Sequence, residues 1–475
     1  MIEQEKPKPL SPKRRKKHKG KKIPGRLSPA KIIPVSFLVA ILLGTVLLSC
    51  PFASATGESC GLTTACFTAT TSVCVTGLVV VDTYAAWSLA GQIIILLLIQ
   101  LGGLGIIAAV SLLLMSFHKR FSMAERILIN ESFNLEGLGG AVLFLRRVIR
   151  GILGIELFGA FLYAFHFVPA YGPKRGLWYS LFHSISAFCN AGIDLLGSDS
   201  LQRYAGNPYV LGITMMLIIL GGLGYVVWFD IFFTLRECLK RRFGLKKALS
   251  RLSEHTKLVL TLTFFLLLIG TLGIFAFESH NPETLGNLPL KDKVLGSLFQ
   301  SVTFRTAGFA ALPQEHLRAA TCLFGCILMF IGGSPVGTAG GIKTVTFFLV
   351  ACNALSYIRE RDQVVTWKRA VPEEAMRKAA AIFFISALTT LFFTLLLLTT
   401  GPISLTDALY ETTSALATVG LTRSLTPSLS LSGRWIIILA MYLGRIGPIS
   451  MAIAFTKPRG EKNSVRYAEG KFYVG

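Results

Sequence analysis

The chain is poor in charge, and poorest in acid. Only 15% of its 475 residues are Asp, Glu, Lys or Arg, and 25 acids face 48 bases for a net charge of +23. A soluble globular domain carries about 25% charged residues, which excludes one here. Clustered acids and a nucleophile beside a base are also missing, so no catalytic residue is assigned and an enzyme is not expected. The seven histidines are scattered, and the nine cysteines form no metal pattern. Cys322 and Cys326 lie one helical turn apart without a partner pair, whereas structural zinc needs four ligands, so packing is the favoured reading. Cys60 and Cys66 fall on the expected outer side, where pairing and plain burial both remain open.

What the chain has instead is apolar length. Hydrophobic residues make up 52% of it. Thr83–Phe117, Leu258–Phe277 and Ala379–Thr406 contain no charge, and runs of about 20 apolar residues are the mark of membrane spans. Ile32–Cys50 reads as a retained span, because the basic segment before it is too long for a signal peptide. A charge of +23 on a soluble chain would suggest nucleic acid, but location decides otherwise. Twelve Lys/Arg lie in residues 1–31, densest in Lys13–Lys22, six in 118–150, eight in 236–257, six in 357–378 and five after 456. These 37 of 48 occupy alternate connections. Cytoplasmic loops collect Lys and Arg, so both termini are expected in the cytosol of a multi-pass cytoplasmic-membrane protein. The basic tail is read as topogenic charge drawn to anionic membrane lipids, with no nucleic-acid partner.

Four segments align on a glycine: Phe67–Leu78, Phe182–Ile193, Leu298–Phe309 and Tyr410–Leu421. The glycines Gly77, Gly192, Gly308 and Gly420 are 115, 116 and 112 residues apart. Each is preceded by an aromatic or Leu at ten residues and followed at once by an apolar residue, and each segment lies between two long apolar runs. The expected fold is an all-α polytopic membrane protein of four helix–pore-loop–helix repeats around one central pore. Its parts are a basic cytosolic tail (1–31), repeat 1 (32–117), repeat 2 with its preceding loop (118–240), repeat 3 (241–358), repeat 4 (359–456) and a carboxy-terminal tail (457–475).

Irregular backbone at membrane depth is tolerated only inside protein or along a wet cavity. A short helix before each glycine would aim its carbonyl end, which favours cations, at a common axis. The glycine permits angles closed to other residues, so preceding carbonyls can turn inward and replace the hydration shell of potassium. The candidate carbonyl donors are Val75 and Thr76, Asn190 and Ala191, Thr306 and Ala307, and Thr418 and Val419. They are uncharged and mostly small, whereas a calcium site would want acidic oxygens.

The segments TTSVCVTGLVVVDT, SISAFCNAG, SVTFRTAGF and SALATVGL resemble the four filter segments of the Trk/Ktr/HKT superfamily of potassium transporters. The Cys-Val-Thr-Gly first filter is similar to that of the KtrB/NtpJ branch. The likeness runs from about residue 30 to 456, with departures at Cys189, Phe304 and Ala310. The resemblance implies potassium as the transported substrate, sodium as a candidate activator, no organic cofactor in this chain, a homodimer, and a cytosolic nucleotide-binding regulatory subunit of the KtrA/TrkA type. The basic stretch Arg236–Lys257 is the expected docking face for that subunit. A sodium- or proton-coupled cation carrier with less selectivity for potassium is the alternative. Carriers commonly show inverted repeats, and here the four units share one polarity.

The last long run of repeat 3 is interrupted by Gly332–Gly341, GGSPVGTAGG. Proline removes a helix hydrogen bond and glycine is costly inside a helix. Either a kink for close packing, as expected at LGGLG 101–105 and 220–224, or an obstructing loop results. GGSPVGTAGGIKT resembles the intramembrane gating loop of the KtrB family, departing at Val336 and Ala339. That likeness assigns the gate to 332–343, with Gly332, Gly333, Ser334, Pro335, Gly337, Gly340, Gly341 and Lys343. Arg445 lies 11 residues from Arg434 and 12 from Lys457, near mid-membrane, where a cation is expensive and usually functional. It is the expected pore barrier or, through carbonyls, an anchor of the loop. Arg305 is expected to point away from the axis and pair with an acid such as Glu411.

Overall fold

The computed structural model describes residues 29–105, 141–241, 244–361, 363–366 and 369–447. The amino-terminal tail up to residue 28, the whole carboxy-terminal tail with residues 448–456 before it, and the 118–140 part of the first basic loop lie outside the described residues. So does 106–117, the end of the last run of repeat 1.

The fold is almost wholly helical, and each repeat has the same three parts. A long first helix comes first: α1 (Pro29–Ser49), α4 (Ala141–Tyr171), α8 (Glu254–Glu278) and α12 (Glu373–Leu398). These four are long and apolar enough to cross a bilayer. A short helix follows, ending just before the aligned glycine: α2 (Leu62–Cys74), α5 (Pro173–Cys189), α9 (Leu290–Thr303) and α13 (Leu405–Leu416). A second apolar segment closes the repeat. It is α3 (Leu89–Leu104) in repeat 1 and α6 (Pro208–Leu223) with α7 (Tyr225–Arg241) in repeat 2. In repeat 3 it is α10 (Ala319–Phe330) with α11 (Thr344–Ile358), and in repeat 4 it is α14 (Leu431–Ile446). A two-residue hairpin, Val365–Thr366 with Arg369–Ala370, joins repeats 3 and 4.

The packing is cyclic. The second segment of each repeat lies against the short helix of the next: α3 on α5, α6 on α9, α10 on α13, and α14 back on α2. Within a repeat, hydroxyls tie the short helix to the first helix. Ser184 Oγ donates to the Glu156 carbonyl at 2.6 Å, Ser301 Oγ to the Leu267 carbonyl at 3.0 Å, and Thr412 and Thr394 share a 2.7 Å bond. The pattern is polar inside and apolar outside. Thr70, Thr71, Ser72, Ser186, Thr303 and Ser414 are fully buried, whereas Leu43, Val46, Phe264, Leu272, Phe384 and Leu395 are exposed. Lipid is the solvent such a surface fits, and it gives helices no hydrophobic reason to associate, so close packing and interhelical hydrogen bonds must do so.

The expectation of single long helices for the second apolar runs of repeats 1, 2 and 4 is corrected. Helices α3, α6 and α14 end within the aligned tetrads Gly102–Gly105 (GGLG), Gly221–Gly224 (GGLG) and Gly444–Gly447 (GRIG), and α10 ends at Phe330, just before Gly332–Pro335 (GGSP). Gly105, Gly224 and Gly447 have φ of 81°, 89° and 87°. The expected close packing is present just before the stop. A Cβ on Gly102, Gly221 or Gly444 would collide with the carbonyl of Val73, Phe188 or Leu416, each four residues before an aligned glycine.

Candidate functional site: the glycine ring and the loop beneath it

The four aligned glycines meet. A Cβ added to Gly77 would lie 2.5 Å from the Ala191 carbonyl oxygen, one on Gly192 2.8 Å from that of Ala307, and one on Gly308 2.5 Å from that of Val419. On Gly420 it would overlap the Thr76 carbonyl. Every glycine therefore touches the carbonyl preceding the glycine of the following repeat, and the fourth returns to the first. The ring closes in chain order, and no side chain fits in it.

The backbone around the ring is repeated too. Gly77, Gly192, Gly308 and Gly420 have φ of 104°, 64°, 85° and 96°. Two residues earlier, Val75, Asn190, Thr306 and Thr418 sit in the left-handed region with φ between 51° and 64°. Each such non-glycine residue costs of order 1–3 kcal/mol, and a β-branched one is a genuine outlier. Hydroxyls hold the strained turn. Thr71 Oγ1 accepts from Gly77 N at 2.9 Å, and Ser414 Oγ from Gly420 N at 3.0 Å. Ser186 Oγ accepts from Ile193 N at 3.2 Å. In repeat 3 the matching position is Val302, and Thr303 Oγ1 instead donates to the Phe309 carbonyl at 2.7 Å.

One side of the ring opens into a cavity of about 420 Å³ lined by all four glycines and by Asp82, Asp194, Asp199 and Glu315. Thr76 Oγ1, Thr418 Oγ1 and Asn190 Nδ2 are buried at the ring with no protein partner among the described residues. Buried polar atoms are rarely left so unless water or an ion reaches them.

The other side is covered by the 332–343 loop. It folds on itself through Gly332 N to the Ile342 carbonyl at 3.0 Å and Gly333 N to the Gly340 carbonyl at 3.2 Å. Its tip then reaches the residues two before the glycines. Gly340 N donates to Thr306 Oγ1 at 3.0 Å, Thr338 Oγ1 donates to the Phe188 carbonyl at 3.2 Å, and a Cβ on Gly340 would collide with Thr418 Oγ1. The break of repeat 2 holds the near arm, with Ser334 N donating to the Gly222 carbonyl at 3.0 Å and Tyr225 N to the Val336 carbonyl at 2.9 Å. Lys343 Nζ donates back to the Ala339 carbonyl at 2.7 Å.

Arg445 occupies the tetrad position that is Gly103, Gly222 and Gly333 in the other repeats. Its two terminal nitrogens are divided between repeats. Nη1 donates to the Thr338 carbonyl at 2.8 Å and Nη2 to the Gly102 carbonyl at 2.6 Å. Arg305 does not meet Glu411, which corrects the expected pair. Glu411 accepts from Thr422 at 2.7 Å and from Thr426, stapling the chain beyond Gly420. Arg305 Nη2 donates at 3.3 Å to the Gly332 carbonyl, the first residue of the loop. Cys60 and Cys66 form no disulfide, and Cys60 Sγ lies 3.4 Å from Ser54 Oγ.

Sequence reasoning did not find the hydroxyls at six residues before the glycine, although Thr71, Ser186 and Ser414 stand in the aligned segments. It also missed Glu156. This acid is buried in α4, accepts from Gln100 Nε2 at 3.0 Å, and lies 3.8 Å from the Sγ of Cys189, the residue before Asn190. Only the rarity of an acid in an apolar run could have flagged it.

The family described as TrkH, cation transport protein, matches residues 12–467. The Ktr system potassium uptake protein B of Bacillus subtilis is 38% identical over 86% of this chain and 89% of its own. The potassium/sodium uptake protein NtpJ of Enterococcus hirae is 34% identical over 90% and 93%. The protein B of Vibrio alginolyticus is 37% identical over 90% and 91%. The crystal structure of the potassium transporter TrkH from Vibrio parahaemolyticus has the same fold, with a TM-score of 0.68 at 18% identity over 89% of this chain and 85% of that one.

Two predictions follow from this geometry. Serine at Gly77, Gly192, Gly308 or Gly420 must displace a neighbouring carbonyl, so each variant is expected to lower apparent affinity for the permeating cation about tenfold, the size of effect that about 1.4 kcal/mol of strain produces. Kinetics of uptake in four folded single variants would check this, and four wild-type profiles would refute the ring as a cation site. For Arg445, ammonium cannot replace a fork that bridges two carbonyls. Flux through Arg445→Lys is therefore expected to rise nearly as far as through Arg445→Ala, whereas near-normal flux with lysine would mean that charge alone matters.

Proposed function

Since the chain belongs to the TrkH family of cation transport proteins and to its KtrB/NtpJ branch, we propose that it takes up potassium across the cytoplasmic membrane through a channel-like pore. The observation that carries the proposal is the closed ring of glycine backbones. Carbonyls of Thr76, Ala191, Ala307 and Val419 each occupy the space that a Cβ on the preceding repeat's glycine would need, Thr76 facing Gly420. Together with those of Val75, Asn190, Thr306 and Thr418, they form the filter in this reading and replace water around the ion. A permanent ring of backbone dipoles costs no reorganisation as each ion passes. The acids of the 420 Å³ cavity raise the local cation concentration at its mouth.

In the same reading the 332–343 loop is the gate, drawn here in contact with the ring. Arg445 and Arg305 act on it as anchors through the Thr338 and Gly332 carbonyls. An anchor is favoured over a bare electrostatic barrier because both terminal nitrogens of Arg445 are engaged. The cyclic packing, in which every repeat meets the next in the same sense, supports a pore over an inverted-repeat carrier. Relatives named as parts of a Ktr system support a separate regulatory subunit of the KtrA/TrkA type. A homodimer with both termini cytosolic and sodium as an activator complete the proposal.

Cells stripped of their own potassium uptake are expected to grow at low potassium when given this chain with its partner. Rubidium should compete for uptake, and sodium should compete at least about tenfold less well, as carbonyl filters discriminate. Equal competition by sodium would favour the less selective carrier. Deleting Ser334–Ala339 is expected to raise flux severalfold and leave that discrimination in place, since the loop lies below the ring. A folded deletion variant with unchanged or lower flux would remove the loop from the role of gate.

A further inference from the structure

The second segment of repeat 2 bends without an intervening loop. After Gly224 the chain continues as a helix, α7, turned by 98° from α6. Helix α6 has 16 residues, a length of about 24 Å at about 1.5 Å per residue. The hydrocarbon core is about 30 Å thick. A chain that enters at Pro208 and runs along the membrane normal has therefore used most of the core when it turns. The remaining depth is about that to which interfacial helices are buried, 5–10 Å below the headgroup boundary. With α6 along the normal, the 98° turn would carry α7 along the membrane plane.

Its surface matches that position. Phe232, Leu235 and Leu239 recur at i, i+3 and i+7 and are exposed, Leu239 to 81%. Arg236 and Lys240 form the adjoining stripe and are exposed as well. Phe233 is exposed, with the Arg147 guanidinium 5.8 Å from its ring centre. The acids of α7 are already engaged. Asp230 accepts from Ser253 N at 2.9 Å and from its Oγ at 2.7 Å, and Glu237 pairs with Arg241 at 3.0 Å and Arg251 at 3.2 Å. The short helix Leu245–Arg251 adds exposed Lys246 and Lys247. Positive charge is left beside a row of exposed apolar side chains.

We propose that α7 and the following short helix form a binding surface for anionic phospholipid headgroups. Phe232, Leu235 and Leu239 sit among the upper acyl carbons, while Arg236, Lys240, Lys246 and Lys247 meet the phosphates. The apolar row decides between membrane and soluble partner: a docking face for a cytosolic subunit, as the sequence suggested for Arg236–Lys257, would leave Leu239 in water whenever that subunit is absent. A basic amphipathic helix in the bilayer interface satisfies both rows at once.

Two measurements on the purified full chain test this independently of transport. In native mass spectrometry with phosphatidylglycerol or phosphatidylcholine, the wild type is expected to retain phosphatidylglycerol preferentially. The variant Arg236→Gln/Lys240→Gln/Lys246→Gln/Lys247→Gln should bind it at least about tenfold more weakly, given the worth of each basic group near an anionic surface. Equal retention by both proteins would overturn the proposal. The second measurement keeps the native charges. A bimane at Leu239→Cys, with Cys50, Cys60, Cys238 and Cys352 replaced by serine, is read in nanodiscs containing lipids brominated at shallow or deep acyl positions. Stronger quenching by the shallow bromines is expected, with the opposite order for a probe at Ile269→Cys on α8. A Leu239 probe that neither lipid quenches would place α7 in water, free for a protein partner. One quenched like the α8 probe would make α7 an ordinary span. Either result sinks the proposal.

Discussion

The close approach of four glycine backbones governs this fold. With a glycine Cβ position within 3 Å of the next repeat's carbonyl oxygen at all four corners, the ring tolerates no side chain and little displacement. A ring so tight has to be assembled from outside. Each corner needs a helix ending three to five residues before it, a left-handed residue to turn the chain, and a donor or acceptor to hold the turn. The hydroxyls of Thr71, Ser186, Thr303 and Ser414 meet the last need. The cyclic packing of each second segment on the next short helix meets the first, because it fixes where every helix stops.

The bilayer makes this arrangement affordable in one sense and demanding in another. Lipid gives the polar interior nowhere else to go, so buried threonines and serines find partners within the protein. Backbone strain at Val75, Asn190, Thr306 and Thr418, of order 1–3 kcal/mol each, persists because the surroundings over-determine it. Of the buried polar atoms without a protein partner among the described residues, those on Thr76, Thr418 and Asn190 lie at the ring itself. That is the place where a hydrated ion, in the proposed function, would be their partner.

The sequence made the periodic part legible and hid the particular part. Four glycines at near-equal spacing, each between apolar runs, were enough to expect four repeats and a common axis, and the family comparison agrees. Their φ angles and mutual contacts could only be expected in outline. The interruption in repeat 3 was expected from its glycines and proline, but the helix stops in repeats 1 and 2 were missed because LGGLG reads equally well as close packing, and in fact serves both ends: Gly102 and Gly221 pack, while Gly105 and Gly224 stop the helix. Arg305 was assigned the wrong partner because one-dimensional spacing gives no angle about the pore helix. Glu411 and Arg305 lie on short helices or turns of different repeats, and each found nearer groups. The bend into α7 was invisible for a similar reason, since a hydrophobic run carries no direction.

Symmetry and its violation divide the site into two kinds of part. At the ring itself the glycine, the left-handed residue two before it and the carbonyl between them recur four times. Beneath the ring the repeats differ at one aligned tetrad. Repeats 1 and 2 have GGLG and break. Repeat 3 has GGSP and extends the break into a loop, and repeat 4 has GRIG and places a guanidinium where the others have only hydrogen. The two exceptions meet: Arg445 from repeat 4 holds Thr338 of the repeat 3 loop, and with its other nitrogen the repeat 1 break at Gly102. A loop alone could swing from its two ends. Bonded at its tip to a side chain of repeat 4, and along its near arm to the repeat 2 break, it cannot leave the ring without giving up contacts to other repeats. That couples the covering of the ring to the packing of the whole bundle. A subunit acting on the bundle from the cytosolic side could therefore, in the proposed function, control ion passage without touching the filter.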